Sequence, residues 1–183
     1  MVGYILSITQ FYISWAACIF GVTRDAAIIG PLVVASLLGL HLYLVIHTKR
    51  ETALILIVGL IGSVIETALM RVGLYAFTGH SLPWVCPIWM AALWMSFAAT
   101  LNHSLRWLHG RYGWAAVLGA IGGPLSYYAG VRLGALAFLP TLEFTLRVLA
   151  MIWALIVPSL MFLTQHISVR YENDSCSDAC FPS

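Results

Sequence analysis

An apolar stretch over residues 81–109, SLPWVCPIWMAALWMSFAATLNHSLRWLH, constrains the fold of this chain more than any other feature. As a helix it is long enough to cross the roughly 30 Å hydrocarbon layer of a bilayer. On a helical wheel, one side holds small residues and Asn102, with His103 at its margin. The other side holds the bulky residues Met90, Leu93, Trp94, Phe97, Leu101 and Leu108. We therefore expect a membrane helix whose small side packs on other helices and whose bulky side faces lipid.

The composition of the whole chain agrees with a membrane environment. Of its 183 residues, 61% are hydrophobic and 9% are charged, whereas a soluble domain carries about 25% charged residues. The net charge of +2 includes no run of basic residues, which argues against nucleic-acid binding. We expect an all-α integral membrane protein, in contact with the lipid bilayer.

The apolar runs divide the chain into six predicted spans. They cover residues 4–22, 26–46, 53–77, 84–108, 113–138 and 144–166. Residues 1–170 would form one transmembrane domain, and residues 171–183 a polar, flexible tail. The third, fourth and fifth spans are expected to pack together through their small residues. Trp84, Trp89, Trp107 and Trp114 lie near span ends, where tryptophan anchors are typical.

Basic residues in the loops predict the orientation of the bundle. Five of them fall on one side of the membrane: Lys49, Arg50, Arg106, Arg111 and Arg170. By the positive-inside rule, this side is cytoplasmic, so both termini would lie in the cytoplasm.

Glu66 is the leading catalytic candidate. It shares one face of the third span with Gly59, Gly62 and Ser63, so it should point into the bundle. The predicted span places it near the middle of the membrane, where an acidic side chain costs at least about 2.5 kcal/mol. It could serve as a proton acceptor, a cation ligand or a counter-ion. The alternative is a protonated side chain that only fastens two helices.

Asn102 and His103 complete the predicted catalytic set. In hydrocarbon, an amide such as Asn102 needs a partner on a neighbouring helix, so it could equally be a fastener between helices. His103 could be a base or a core histidine with its hydrogen bonds satisfied. Glu66 and His103 differ in depth by roughly 8 to 10 Å, so the two need not touch.

The predicted ligand-binding residues are Arg71, Arg132, Tyr128 and His41. Arg71 and Arg132 would line the periplasmic end and hold an anionic headgroup, or else extend to the interface as ordinary arginines. The pair Glu143 and Arg147, at i and i+4, would form an interfacial ion pair.

Three histidines raise the question of a cofactor. His41, His103 and His166 should lie on the same cytoplasmic side, so a haem or a small metal site must be considered. Because the spacing selects neither, we assign no metal ligand and leave the cofactor unknown.

Several motifs in the second half of the chain resemble a known family. They include Ala92-Leu93-Trp94, Leu101-Asn102-His103-Ser104-Leu105, Gly123-Pro124, Tyr128 and Gly134-Ala135. On these motifs the chain resembles small proteobacterial inner-membrane proteins that are grouped as a domain of unknown function. The resemblance covers most of the chain and implies no catalytic residues. It implies a lipid-related context, because members accompany genes for fatty-acyl-chain modification and photo-oxidative stress.

These features favour a membrane-embedded enzyme or accessory factor that acts on lipid or another apolar small molecule. The alternatives are a small-solute transporter or permease, and a structural or haem-binding membrane subunit. An enzyme would need Glu66, Asn102 or His103 open to a lateral lipid cleft. A transporter would need a polar path that reaches both faces. The oligomeric state, including a homo-oligomer, is left open.

Overall fold

The chain folds into a bundle of helices with one short β-ribbon. The computed structural model describes residues 2–46, 48–79, 82 and 84–180, with side chains between residues 7 and 167 of these ranges. The described residues form α1 (Val2–Val22), α2 (Ile29–Leu44), α3 (Thr48–Arg71), β1 (Tyr75–Phe77), α4 (Ile88–Leu101), α5 (Tyr112–Arg132), β2 (Leu136–Phe138) and α6 (Leu142–Cys180). A 3-10 turn at Arg106–Leu108 lies between α4 and α5.

Two of these helices are long and apolar enough to cross a membrane. They are α3, over Thr48–Arg71, and the segment Leu142–Ile167 of α6. The apolar segments Ser7–Val22, Ile29–Leu44 and Ile88–Leu101 are shorter. The predicted helical fold is confirmed. Helix α6 continues to Cys180, and residues 181–183 lie outside the described part, so the flexible tail stays a prediction.

Helix α4 occupies the centre of the bundle, and the prediction that its bulky side faces lipid is wrong. The helix has 14 residues and contacts α1, α2, α3 and α6. Leu93, Trp94 and Leu101 are all buried, because helices cover α4 on both sides. Trp89 is not an interfacial anchor either, since it is buried with its ring 5.3 Å from that of Phe77. A helix that is apolar all round is typical of such a central position.

Glycines allow the helices to approach one another closely. A Cβ on Gly59 would lie 2.6 Å from Cγ of Met95, and one on Gly62 would overlap the ring of Trp94. Helix α3 therefore packs on α4 through small residues, as predicted. Helix α5 differs from the prediction, because its Gly119 and Gly123 accept Trp153 of α6. Its main packing partner is α6, not α3 or α4.

The β-ribbon joins the ends of α3 and α5 and comes from a repeated sequence. The segment after α3 reads RVGLYAF, and the segment after α5 reads RLGALAF. Gly73 and Gly134 have φ values of +76° and +83°, a conformation that glycine adopts readily at helix ends. The two strands pair antiparallel around Ala76 and Ala137. The ends of predicted spans three and five are therefore strands, and α3 stops at Arg71.

Candidate functional site

Glu66 is the only carboxylate among the described residues that is completely buried, and it accepts hydrogen bonds from three different elements. Tyr75 of β1 donates its hydroxyl to Oε2 at 2.5 Å. Trp94 of α4 donates its indole N–H to Oε1 at 2.9 Å, and Tyr127 of α5 donates its hydroxyl to the same oxygen. Two carboxylate oxygens can accept all of these bonds. Glu66 therefore fastens α3, α4, α5 and the ribbon at one point.

The position of Glu66 in its helix differs from the expected one. Because α3 ends at Arg71, Glu66 lies in the last third of the helix, not near the middle of a span. It is nevertheless enclosed, because the chain turns at Gly73 and β1 brings Tyr75 back beside the carboxyl group. The burial of this carboxyl depends on the turn and the ribbon, neither of which the span prediction contained.

Aromatic rings surround the hydrogen bonds of Glu66. The indoles of Trp94 and Trp153 are stacked with centroids 5.2 Å apart and an angle of 14° between the planes. The rings of Tyr75 and Tyr127 lie 5.3 Å apart. These rigid, closely packed rings hold the phenol and indole donors in place, and they exclude water from the carboxyl group.

A cleft of about 590 Å³ runs along α4 between α1 and α5. Its lining is mostly aliphatic and aromatic, and it includes Glu66, Trp94 and Tyr127. The lining follows α4 from Trp89 to Thr100, so the cleft is elongated. Helix α5 contributes Gly119, Gly122 and Gly123 to the lining, and these residues have no side chain to fill the cleft.

The cleft opens on the flank of the bundle. Tyr12 on α1 and Leu125 on α5 both line it and are 64% and 59% exposed. Deeper in, Trp15 donates its indole N–H to the Ser126 hydroxyl at 3.1 Å and so bridges α1 and α5. Ser104 also lines the cleft, and its buried hydroxyl has no hydrogen-bond partner among the described residues. An apolar cavity that contains a few polar groups of this kind is typical of a small-molecule site.

Asn102 and His103 belong to a second cluster, around Glu51. Asn102 donates from Nδ2 to Glu51 Oε2 at 2.9 Å, and Nε2 of His103 lies 3.2 Å from Glu51 Oε1. His41 Nε2 lies 3.4 Å from the same oxygen. The predicted interhelical partner of Asn102 is thus Glu51. The structure does not bring Glu66 together with Asn102 and His103, so the three predicted catalytic residues form two sites.

Glu51 was not predicted, although the sequence contains a signal for it. Beside Lys49 and Arg50 it resembles a solvated loop charge, yet it is 2% exposed. Glu51 lies at helical spacing from Ile55, Gly59, Gly62 and Glu66, on the buried face of α3. Tyr75, Trp94 and Tyr127 were also missed as partners of Glu66.

The histidines do not form a bis-histidine haem site. The rings of His41 and His103 have centroids 4.9 Å apart and are nearly perpendicular. Because a Glu51 oxygen lies within 3.4 Å of Nε2 on both rings, a porphyrin does not fit between them. His166 does not join them, since its Nδ1 lies 3.0 Å from the carbonyl oxygen of Phe162 on its own helix.

The predicted arginine sites lie at the surface, away from both clusters. The guanidinium of Arg71 lies 5.6 Å from the centre of the Trp84 ring. Arg132 donates to the Tyr128 hydroxyl at 3.4 Å, a long bond on the exposed side of α5. Their roles in ligand binding stay predictions. Arg147 and Glu143 form the predicted ion pair at 2.8 Å, and both side chains are exposed.

Comparison with known proteins gives a family and no activity. The family described as a protein of unknown function (DUF2878) matches residues 4–159, so the chain belongs to it. No curated protein shows a significant match. No solved structure shows a significant match either.

Proposed function

We propose that this chain is a multi-pass protein of the bacterial inner membrane that binds a lipid or another apolar small molecule in the cleft between α1 and α5 and acts on it there. The observation that carries the proposal is the cleft itself. It is elongated, mostly apolar and open on the flank of the bundle, and its lining includes one carboxyl group, that of Glu66. A chain-like apolar molecule could enter it sideways from a bilayer.

The outer surface of the bundle supports a membrane location for the whole fold. Leu56, Leu60 and Val64 form an exposed stripe on α3, each at least 56% exposed. Helix α6 has a similar stripe in Met151, Leu155 and Phe162. Rows of exposed large apolar side chains are unusual on a protein in water, and they match the lipid-facing side of a membrane helix.

The lining of the cleft favours an apolar ligand over a solute. Tyr12, Leu118 and Leu125 are exposed residues of the lining, and most of the lining is aliphatic or aromatic. A transporter of polar solutes would need polar groups along a path to both faces. In an apolar cavity the free Ser104 hydroxyl costs free energy unless a ligand or water satisfies it. A polar group on the ligand could do so.

Tyr127 is the residue of the Glu66 cluster that would contact the ligand. Its side chain lines the cleft and is 5% exposed, whereas Glu66 is not exposed at all. Because Tyr127 donates its hydroxyl to Glu66, the pair could exchange a proton with a polar group on a bound molecule. We therefore assign Tyr127 as the contact residue and Glu66 as its proton acceptor.

The cleft can be tested by filling it without disturbing the helix packing. A Cβ on Gly122 would meet no atom within 4 Å, and Gly122 lines the cleft. Gly122→Leu should therefore place an isobutyl group in the cleft. Gly39→Leu is a matched control, because Gly39 is also a helical glycine with open space around it but lies on α2, outside the lining.

The measurement is crosslinking with a phospholipid that carries a diazirine on its acyl chain, followed by peptide mapping of the protein in bilayer nanodiscs. In the wild type and in Gly39→Leu, we expect labelled peptides from α1 and α5 that contain Phe11 or Ser126. In Gly122→Leu this labelling should fall at least fivefold. Unchanged labelling in Gly122→Leu would overturn the proposal, as would labelling restricted to the outer stripes of α3 and α6.

A further inference from the structure

At the other end of α3, three potential metal ligands from three elements converge. His41 lies in the last turn of α2, Glu51 in the first turn of α3, and His103 directly after α4. The short α2–α3 connection brings His41 beside Glu51. The C-terminal end of α4 then adds His103 next to them. Their ligand atoms all lie within 4.8 Å of one another.

The distances within the cluster suit a single metal ion. Zinc binds imidazole nitrogen and carboxylate oxygen at about 2.0–2.1 Å, so two ligand atoms of a tetrahedral site are about 3.3–3.4 Å apart. Nε2 of His103 and Nε2 of His41 lie 3.2 and 3.4 Å from Glu51 Oε1. Two of the three edges therefore already have the right length. Small rotations of the imidazole rings would bring the two nitrogens together around an ion.

The contact between His103 and Glu51 is close, but its geometry is poor for a hydrogen bond. The Nε2 atom of His103 is buried and makes no hydrogen bond within the described residues, although Glu51 Oε1 is 3.2 Å away. A donated N–H would be directed at that oxygen. A neutral imidazole nitrogen and a carboxylate oxygen both offer lone pairs, so an ion between them would satisfy both atoms.

The surroundings provide the other parts of a metal site. Asn102 donates to Glu51 Oε2 at 2.9 Å, which holds the carboxylate while Oε1 faces the histidines. Partners of this kind orient metal ligands in known sites. Glu51 and His41 are 2% and 8% exposed, whereas the His103 side chain is 27% exposed. The side of the cluster at His103 is therefore its most open part, and an ion with a water as fourth ligand would have to enter there.

We propose that His41, Glu51 and His103 bind one divalent transition-metal ion of the zinc class at this end of the bundle. Two imidazole nitrogens and one carboxylate oxygen favour such an ion over Mg²⁺ or Ca²⁺, which prefer oxygen ligands. The site is separate from the Glu66 cluster, because Glu51 and Glu66 are about 22 Å apart along α3 at 1.5 Å per residue.

The test measures zinc binding to the full chain in detergent. The protein carries a tag without histidine and the substitutions Cys176→Ser and Cys180→Ser, because cysteines near the C-terminus could bind zinc independently. Competition with a chromophoric zinc chelator should give one zinc ion per chain. A tenfold excess of Mg²⁺ or Ca²⁺ should not displace it. Zinc should also raise the thermal unfolding midpoint, because it binds only the folded cluster.

Three variants decide between a metal site and a structural pair. His103→Gln keeps a polar side chain at a partly exposed position and should lower zinc affinity at least 100-fold and abolish the thermal shift. Asn102→Ala should weaken binding by about 10-fold or more, because it frees the carboxylate. His166→Gln, at a histidine outside the cluster, should bind zinc like the wild type.

Failure of the wild type to bind zinc would overturn the proposal. So would an equal loss of affinity in His166→Gln and in His103→Gln. The double variant His41→Gln, His103→Gln provides a second check. If it is monodisperse on size exclusion and still binds one zinc ion, the ion is held elsewhere and the proposal is wrong.

Discussion

Glu51 and Glu66 lie on the same buried face of α3, and each gathers hydrogen-bond donors or histidines from other elements. Glu51 joins α3 to α2 and to the end of α4, while Glu66 joins it to α4, α5 and the ribbon. Helix α3 thus connects two polar clusters about 22 Å apart. Between them, Gly59 and Gly62 give α4 a close approach. One helix therefore contributes a carboxyl group both to the lining of the cleft and to the histidine cluster.

The orientation of α3 gives the first prediction. Thr48 and Thr78 are exposed residues near the two ends of the α3–β1 segment. If loops with basic residues lie in the cytoplasm, an impermeant thiol reagent added to intact cells should label Thr78→Cys and should not label Thr48→Cys. Permeabilised cells should show both labels. Cys176→Ser and Cys180→Ser serve as the background. The reverse pattern in intact cells would mean that the termini are periplasmic.

Two glycines of α5 with different surroundings give a prediction about stability. A Cβ on Gly119 would collide with the Trp153 backbone carbonyl, whereas one on Gly122 meets nothing within 4 Å. Gly119→Ala should therefore destabilise the fold by about 1–3 kcal/mol through overpacking. Gly122→Ala should be neutral or slightly stabilising, because alanine favours a helix. Thermal unfolding in detergent measures both. Equal midpoints for the two variants would contradict the α5–α6 packing.

Much of this arrangement could be predicted from the sequence. A buried acidic residue on a stripe of small residues predicts a helix face that points inward, and Glu66 is buried there. The need of Asn102 for a partner predicts an interhelical hydrogen bond, and Glu51 is that partner. Both predictions use the free-energy cost of unpaired polar groups away from water. That cost requires a partner but does not specify which one.

Trp94 and Tyr75 were missed as partners of Glu66 for the same physical reason, which is that a helical wheel describes one helix by itself. A helical wheel sorts residues by direction around one helix, so it placed the bulky side of α4 towards lipid. Trp94 is instead covered by other helices and donates to Glu66. Tyr75 reaches Glu66 only because the chain reverses at Gly73. The repeated pattern R-x-G-x-x-A-F was visible in the sequence. It would have predicted that α3 and α5 end in the same way.

Tyr127 makes a buried hydrogen bond and its neighbour Tyr128 makes an exposed one, so substitutions at the two positions compare the contributions of these bonds to stability. Tyr127→Phe removes one of the three donors to Glu66 and should cost about 1–3 kcal/mol, because a buried acceptor loses a partner. Tyr128→Phe removes only a long, exposed contact with Arg132 and should change stability by less than about 0.5 kcal/mol. Thermal unfolding of the two variants compares neighbouring positions that differ mainly in burial. A larger loss of stability for Tyr128→Phe than for Tyr127→Phe would contradict the orientation of α5, which buries Tyr127 more deeply than Tyr128.

The last prediction separates the chemical role of Glu66 from its structural role. Glu66→Gln keeps the size of the side chain and one carbonyl acceptor but removes the titratable proton and the charge. The amide can accept from Tyr127 and Trp94 and donate to the Tyr75 hydroxyl, which can turn to accept. Glu66→Leu leaves all three donors unpaired, at about 1–3 kcal/mol each. We therefore expect the Glu66→Gln protein to accumulate near the wild-type level and the amount of folded Glu66→Leu protein to fall.

The functional measurement is the lipid profile of a deletion strain that carries each variant. If Glu66 accepts a proton from Tyr127 during the reaction, Glu66→Gln should be folded, should still be labelled in the cleft by the diazirine phospholipid, and should leave the lipid profile like that of the deletion strain. The wild-type gene should restore the profile, and so should Gly39→Leu. Restoration by Glu66→Gln would show that the carboxyl group only fastens helices. The proton acceptor would then have to be sought elsewhere along the cleft.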